Sequence, residues 1–210
     1  MGKLNPANAI TIARVAGVYL AVLLIYFGKS YVSGFAAVFL ILLNFLLDSA
    51  DGYVSRKLKV ATRAGAFLDI LADRIVELTL FVVFSDLGLV PLWVPLVLLA
   101  RGLVTDSIRG AEFSRGGKVP YKIGYSKLGK FLVSSRLMRE LSGISKAAAF
   151  TLLALLCTAA KYFPDSDFLA RGLLSPLTNL SVLAAVAVNI LRGLPVILES
   201  GKLFLSSPKS

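Results

Sequence analysis

Asp48-Ser49-Ala50-Asp51-Gly52 closes one long apolar stretch, and Gly65-Ala66-Phe67-Leu68-Asp69-Ile70-Leu71-Ala72-Asp73 opens the next, with Arg56 between them. On a helix, the three-residue spacing puts Asp48 and Asp51 on one face, and the four-residue spacing does the same for Asp69 and Asp73. Ionisable groups inside apolar spans are costly, so they face one another, water or a bound ion. Four converging carboxylates repel unless cations lie between them. Hard divalent ions with oxygen ligands, Mg²⁺ or Mn²⁺, are the natural candidates. These two stretches predict an all-α integral membrane protein whose second and third spans meet at their charged ends.

The rest of the chain supports that class. It has 210 residues, of which 57% are apolar, against about 45–50% in soluble domains, and its mean hydropathy is positive. Windows of roughly 18–20 mostly apolar residues can cross the hydrocarbon core. Six are expected, at about 10–28, 34–54, 66–84, 87–104, 147–163 and 177–197. Little chain remains for a separate soluble domain, so residues 1–210 are expected to form one compact six-helix membrane domain without internal repeats. The first apolar segment is long enough to span and has no small-residue cleavage site after it, so no cleavable signal peptide is expected.

Lysines and arginines set the orientation. The loop after the second span carries Arg56, Lys57, Lys59 and Arg63, and the segment after the fourth carries nine more cations from Arg109 to Lys146. Loops on the other side are poor in cations or balanced by Asp86, Asp165 and Asp167. The positive-inside rule then puts both termini and the aspartates at the cytoplasmic face. The net charge of +11 is largely this topology signal together with attraction to anionic headgroups, and the remainder can serve an anionic substrate. No nucleic-acid module accompanies the basic residues. One cysteine, Cys157, excludes an internal disulfide, and the absence of histidine excludes His-based zinc sites and Ser-His-Asp triads. A general base must therefore be a carboxylate, a lysine or a tyrosine.

The stretch from Lys3 to Asn8 is expected to lie along the interface as an N-terminal interfacial segment, with Asn8 capping the first helix and Thr11 and Arg14 following at helical spacing. Arg14 either snorkels to the interface or binds a phosphate. Gly116-Gly117 and Pro120 break the polar segment 105–146. Its later part, Ser126 to Lys146, is an amphipathic surface helix or a cytoplasmic extension of the fifth span. Arg74 and Glu77 are expected to pair with neighbours, with Glu77 on the face of Asp73.

The set Asp48, Asp51, Gly52, Ser55, Arg56, Gly65, Asp69 and Asp73 resembles the signature of the CDP-alcohol phosphotransferases: Asp, two residues, Asp-Gly, two residues, Ala-Arg, about eight residues, Gly, three residues, Asp, three residues, Asp. The position that departs is Ser55, where the family usually has alanine; serine is nearly as small and keeps the close approach to a nucleotide. The resemblance implies transfer of a phosphatidyl-type group from a CDP-linked lipid to an alcohol with release of CMP. It implies two divalent metal ions held by Asp48, Asp51, Asp69 and Asp73, which stabilise charge on the attacking and leaving oxygens. It also implies Asp73 as the general base; carboxylates crowded together hold protons more tightly, which suits that role. Gly52 and Gly65 then let cytidine and its phosphates approach the backbone, Arg56 offers planar donors to a phosphate, and Ser55, Asn8 and Thr11 complete the nucleotide side. A homodimer in a prokaryotic plasma membrane is the family expectation.

The acceptor is signalled more softly. Asn8, Thr11 and Arg14, the segment from Arg101 to Arg109, and Leu128-Gly129-Lys130 are similar to segments of phosphatidylglycerophosphate synthases, although Gly102 stands where those have an acidic residue and the stretch between Lys130 and Lys146 is longer. A phosphorylated acceptor needs cations near the carboxylates, for which Arg101, Arg109, Lys130 and Lys146 are the candidates. Glycerol 3-phosphate is preferred, inositol 1-phosphate is next, and the tails can be diacylglycerol or archaeol. The alternative of another class is a non-catalytic carrier with a carboxylate-lined ion path. It explains buried aspartates but not the fixed glycines and arginine.

Overall fold

The computed structural model describes residues 6–58, 63–116, 126–164 and 172–199. Among them run seven helices: α1 (Pro6–Phe27), α2 (Tyr31–Leu58), α3 (Arg63–Asp86), α4 (Trp93–Gly116), α5 (Lys127–Ser134), α6 (Arg136–Tyr162) and α7 (Ser175–Glu199). The local sequence explains the boundaries. Pro6 opens α1, where its missing N–H costs nothing. Gly88, with φ +71°, turns the chain between α3 and α4 in a conformation that favours glycine. Ser126 caps α5 by accepting a hydrogen bond from the Gly129 N–H at 3.1 Å. Ser135, with ψ 145°, ends α5 and caps α6, accepting from the Met138 N–H at 3.2 Å.

Two expectations change. Ser126 to Lys146 is not one helix: Ser135 divides it into α5 and the first turns of α6, so its later half is a continuous extension of the fifth apolar segment. Asn8 does not cap α1, because the helix has already begun at Pro6. Of the N-terminal interfacial segment, residues 3–5 lie outside the described residues.

Among the described residues, four segments can cross a membrane by length and composition: Asn8–Phe27, Tyr31–Asp48, Arg136–Tyr162 and Gly172–Leu198. Helices α3 and α4 have 24 residues each, about 36 Å at 1.5 Å per residue, but Asp69, Asp73, Arg74 and Glu77 interrupt the first and Arg101 and Asp106 the second.

The helices run up and down. At one end, Tyr26 donates to Asp86 at 2.6 Å, Lys161 Nζ to the Ile25 carbonyl at 2.9 Å, and Tyr162 to the Gly28 carbonyl at 2.8 Å, which ties α1, α3 and α6 together. The opposite end therefore gathers the start of α1, the end of α2 and the start of α3 with the start of α6. Helix α2 packs on α1 and α6, α6 on α7, and α4 on α7. Residues at helical spacing fill the core: Val18, Ala21 and Ile25 from α1, Leu80 and Phe84 from α3, Phe150 and Leu153 from α6. Phe81 meets Phe150 edge-on at 4.5 Å, and Phe45 stacks on it at 5.8 Å. Leu23, Phe27, Phe39 and Leu183 point outward, as lipid-facing side chains do. Since lipid is as apolar as these side chains, close packing rather than a hydrophobic drive joins the helices.

Candidate active site

Asp48 comes from α2, Asp69 and Asp73 from α3, and their carboxylates converge with one oxygen of each within 4.8 Å of the others. Between them lies the Arg14 guanidinium from α1, whose side chain is 2% exposed. Its Nη2 is 2.6 Å from Asp48 Oδ1 and 3.1 Å from Asp73 Oδ1, and its Nη1 is 3.5 Å from Asp69 Oδ1. Arg14 neither snorkels to the interface nor stands apart; it is the buried hub of the carboxylates. Three carboxylates against one guanidinium leave the cluster net negative. The donors are hard oxygens from two helices, which fits a Mg²⁺- or Mn²⁺-type ion.

Thr11, one turn before Arg14, is buried, and Asn8 and Gly65 are half-buried. Asp51, Gly52, Ser55 and Arg56 continue α2 through its last turns, and Arg109 lies on α4, but their side chains are outside the described residues.

Beside the carboxylates are two cavities that share Asp73, Glu77, Ser142, Lys146 and Arg192. One, of about 150 Å³, is also lined by Arg74, Arg101 and Asn189. The other, of about 170 Å³, is also lined by Arg14, Asn44, Asp48 and Arg139. Arg101 thus lines the first cavity and Lys146 lines both. Lys130 is exposed on α5 and lines neither cavity.

Glu77, 4% exposed, organises this wall. It accepts from Lys146 Nζ at 2.8 Å, from Arg74 Nη1 at 3.4 Å and from the Asn189 side-chain amide. Arg74 also donates through Nε to Asp106 at 3.0 Å, as expected of residues that pair with neighbours. A Cβ on Gly193 would overlap the Arg101 side chain, so α7 has glycine where Arg101 passes it.

A third opening, a groove of about 800 Å³, runs between α2 and α6. Leu42, Phe45, Leu46 and Ile144 give it an apolar wall, while Asp48, Arg136, Arg139 and Glu140 stand along it as charged groups, with Arg136 paired to Glu140 at 2.7 Å.

Sequence reading missed Arg192, Asn189, Arg139, Ser142 and Asn44 as wall residues. Asn189 and Arg192 stand three apart at the end of the last apolar segment, and Asn44 is four residues before Asp48 on the same face. Those spacings were the available signal.

The model of the CDP-alcohol phosphatidyltransferase family matches residues 4–191. The chain is 28% identical over 180 residues to a protein of Mycobacterium tuberculosis named probable phosphatidylglycerophosphate synthase, covering 80% of this chain and 82% of that one. It is 28% identical over 116 residues to the CDP-diacylglycerol–glycerol-3-phosphate 3-phosphatidyltransferase of Bacillus subtilis, covering 50% of this chain and 60% of the relative. With the enzyme of the same name from Pseudomonas fluorescens it shares 33% identity over 126 residues, covering 56% and 63%. A match over most of its length, on top of the carboxylate cluster that the signature spacing predicts, shows that the chain belongs to the CDP-alcohol phosphatidyltransferase family.

Proposed function

We propose that this protein transfers a phosphatidyl-type group from a CDP-linked lipid, CDP-diacylglycerol or CDP-archaeol, to glycerol 3-phosphate and releases CMP. The observation that carries the reading is the convergence of Asp48, Asp69 and Asp73 beside a cavity walled by Lys146, Arg101 and Arg192. The names of the Bacillus and Pseudomonas relatives support the same acceptor.

In this reading the acceptor phosphate lies against Arg101, Lys146 and Arg192, with Arg109 and Lys130 contributing charge to the approach. That leaves its free hydroxyl toward Asp73. Asp73 takes the hydroxyl proton as the oxygen attacks the lipid-bearing phosphorus; the bond from that phosphorus to the bridging oxygen breaks, and CMP leaves with the electron pair. Gly52 and Gly65 admit the nucleotide to the helix backbones, Arg56 donates to its phosphates, and Ser55, Asn8 and Thr11 border it. Asp48, Asp51, Asp69 and Asp73 would hold two divalent cations, which would supply electrostatic stabilisation of the phosphate oxygens. The groove between α2 and α6 suits the lipid, with apolar residues for the tails and arginines beside them.

The same reading has α3 and α4 crossing the bilayer with the other four spans, their charges turned to the site. The single domain is then a six-span homodimer in the plasma membrane with the site on the cytoplasmic face. The test is CMP release by detergent-purified protein given the CDP-lipid, Mg²⁺ or Mn²⁺ and a panel of alcohols. Release that requires both metal and glycerol 3-phosphate is expected. Release with another alcohol alone moves the acceptor, and none with any alcohol returns the carrier reading.

A further inference from the structure

Two asparagines line the cavities beside Asp73, and they are differently placed. Asn189 is 4% exposed and donates to Glu77, so its amide holds the wall together. Asn44 is 2% exposed, yet neither its Nδ2 nor its Oδ1 has a hydrogen-bond partner among the described residues. It lies on α2 one turn before Asp48, about 6 Å along the axis, and lines the cavity that also holds Asp73, Lys146 and Arg192. The lining of that cavity includes apolar Phe45, Val76 and Phe150 as well as charged Arg14, Asp48 and Arg139. An asparagine in a membrane helix commonly bonds a neighbouring helix. Asn44 forms no such bond among the described residues.

A buried amide is costly without a partner, and polar residues in membrane spans are usually functional. The cavity of about 170 Å³ is below the roughly 300–1,000 Å³ of sites for drug-sized ligands, so it suits a small polar solute. A solute with one hydroxyl at Asp73 and its phosphate near Lys146 and Arg192 has its remaining hydroxyls within the same chamber. A carboxamide, with donor and acceptor on one group, matches a hydroxyl, which also gives and accepts.

We propose that Asn44 is a specificity-determining residue whose carboxamide hydrogen-bonds a non-reacting hydroxyl of the acceptor, selecting polyol phosphates over acceptors that lack it. The inference rests on the transferase reading above.

The test compares glycerol 3-phosphate with 3-hydroxypropyl phosphate, which keeps the nucleophile and the phosphate but lacks the middle hydroxyl. Both are assayed by CMP release in wild type, Asn44→Leu and Asn44→Ala, with the full-length protein in detergent. Wild type is expected to prefer glycerol 3-phosphate by about 10- to 100-fold in kcat/KM, the range for one hydrogen bond to a buried group. Both variants are expected to bring that ratio to within about threefold. Their melting temperatures should equal or exceed that of wild type, because the substitutions remove a buried amide that bonds nothing in the wall. An unchanged ratio in either variant, or no preference in wild type, overturns the inference while leaving the transferase reading intact. A large fall in melting temperature in both variants makes Asn44 structural and overturns it too. No CMP from glycerol 3-phosphate in wild type overturns the acceptor reading and this inference together.

Discussion

Lys146 on α6 places its ammonium 2.8 Å from the carboxylate of Glu77 on α3, which is 4% exposed. This pair joins α3, which carries Asp69 and Asp73, to α6. A buried pair contributes little net stability when intact, but breaking it from one side is costly. Glu77→Gln is therefore expected to lower stability by about 1–3 kcal/mol. In the double variant with Lys146→Met part of that loss should return. The double-mutant cycle from thermal unfolding should give a coupling above about 1 kcal/mol; additivity within about 0.5 kcal/mol would mean that the contact does not hold α3 to α6.

Arg14 is the counter-charge of the carboxylates. Its side chain is 2% exposed, whereas those of Asp48, Asp69 and Asp73 are 38%, 47% and 51% exposed. Solvent at the carboxylates screens the interaction. Arg14→Gln should thus cost about 1–3 kcal/mol, less than the roughly 3–5 kcal/mol of a fully buried pair. Divalent cations supply the missing charge, so Mn²⁺ should raise the melting temperature of Arg14→Gln more than that of wild type. An equal rise in both proteins would separate Arg14 electrostatically from the ion site.

Asp73 is expected to be separable from nucleotide binding. Asp73→Asn keeps the shape and an oxygen but loses the base, and base catalysis commonly contributes about 10²–10⁴-fold. CMP formation should fall by at least that factor while binding of a CDP-linked lipid, followed by equilibrium titration, persists. Chelation by EDTA should abolish turnover in wild type, and added Mg²⁺ or Mn²⁺ should restore it. Undiminished turnover of Asp73→Asn would remove the base assignment; full activity in EDTA would remove the metal.

What the sequence made legible was local. Asp48, Asp69 and Asp73 could be assigned to one site because helix periodicity fixes their faces and the apolar runs around them fix the helices. For Arg14 the sequence left open snorkelling or phosphate binding, since its place between the carboxylates depends on how α1 docks against α2 and α3. Lys146 on α6 and Asn189 on α7 meet at Glu77 on α3, and no spacing rule connects these three helices. Lys130 is the converse case. It looks like part of the acceptor site in the one-dimensional pattern, yet α5 leaves it exposed and outside both cavity linings. The division at Ser135 was also hidden, because serine is compatible with a helix interior and becomes a boundary only when its side chain turns to cap the next helix. Apolar windows were expected at 66–84 and 87–104, yet α3 and α4 are not among the described helices that can cross a membrane by length and composition alone. Hydropathy counts Asp73 and Arg74 as penalties wherever they point, while in the fold they face other charged groups.

Gly193 gives a test of Arg101 that leaves every charge in place. A Cβ added there would overlap the Arg101 side chain, with Cγ at 3.1 Å and Cδ at 3.2 Å. A flexible side chain can move aside, so the expected cost falls on the position of the guanidinium more than on folding. Gly193→Ala replaces a helical glycine with the best helix former, a gain of about 1 kcal/mol in isolation, which offsets part of the steric loss. Stability should therefore change little, while KM for glycerol 3-phosphate rises about tenfold, as for a weakened charged hydrogen bond. KM for the CDP-lipid should stay within about twofold, since Arg101 lines the smaller cavity and not the groove between α2 and α6. Gly193→Leu should enlarge the acceptor effect. Should both KM values rise together, or neither change, Arg101 is not an acceptor ligand, and the cations left to hold the phosphate are Lys146 and Arg192.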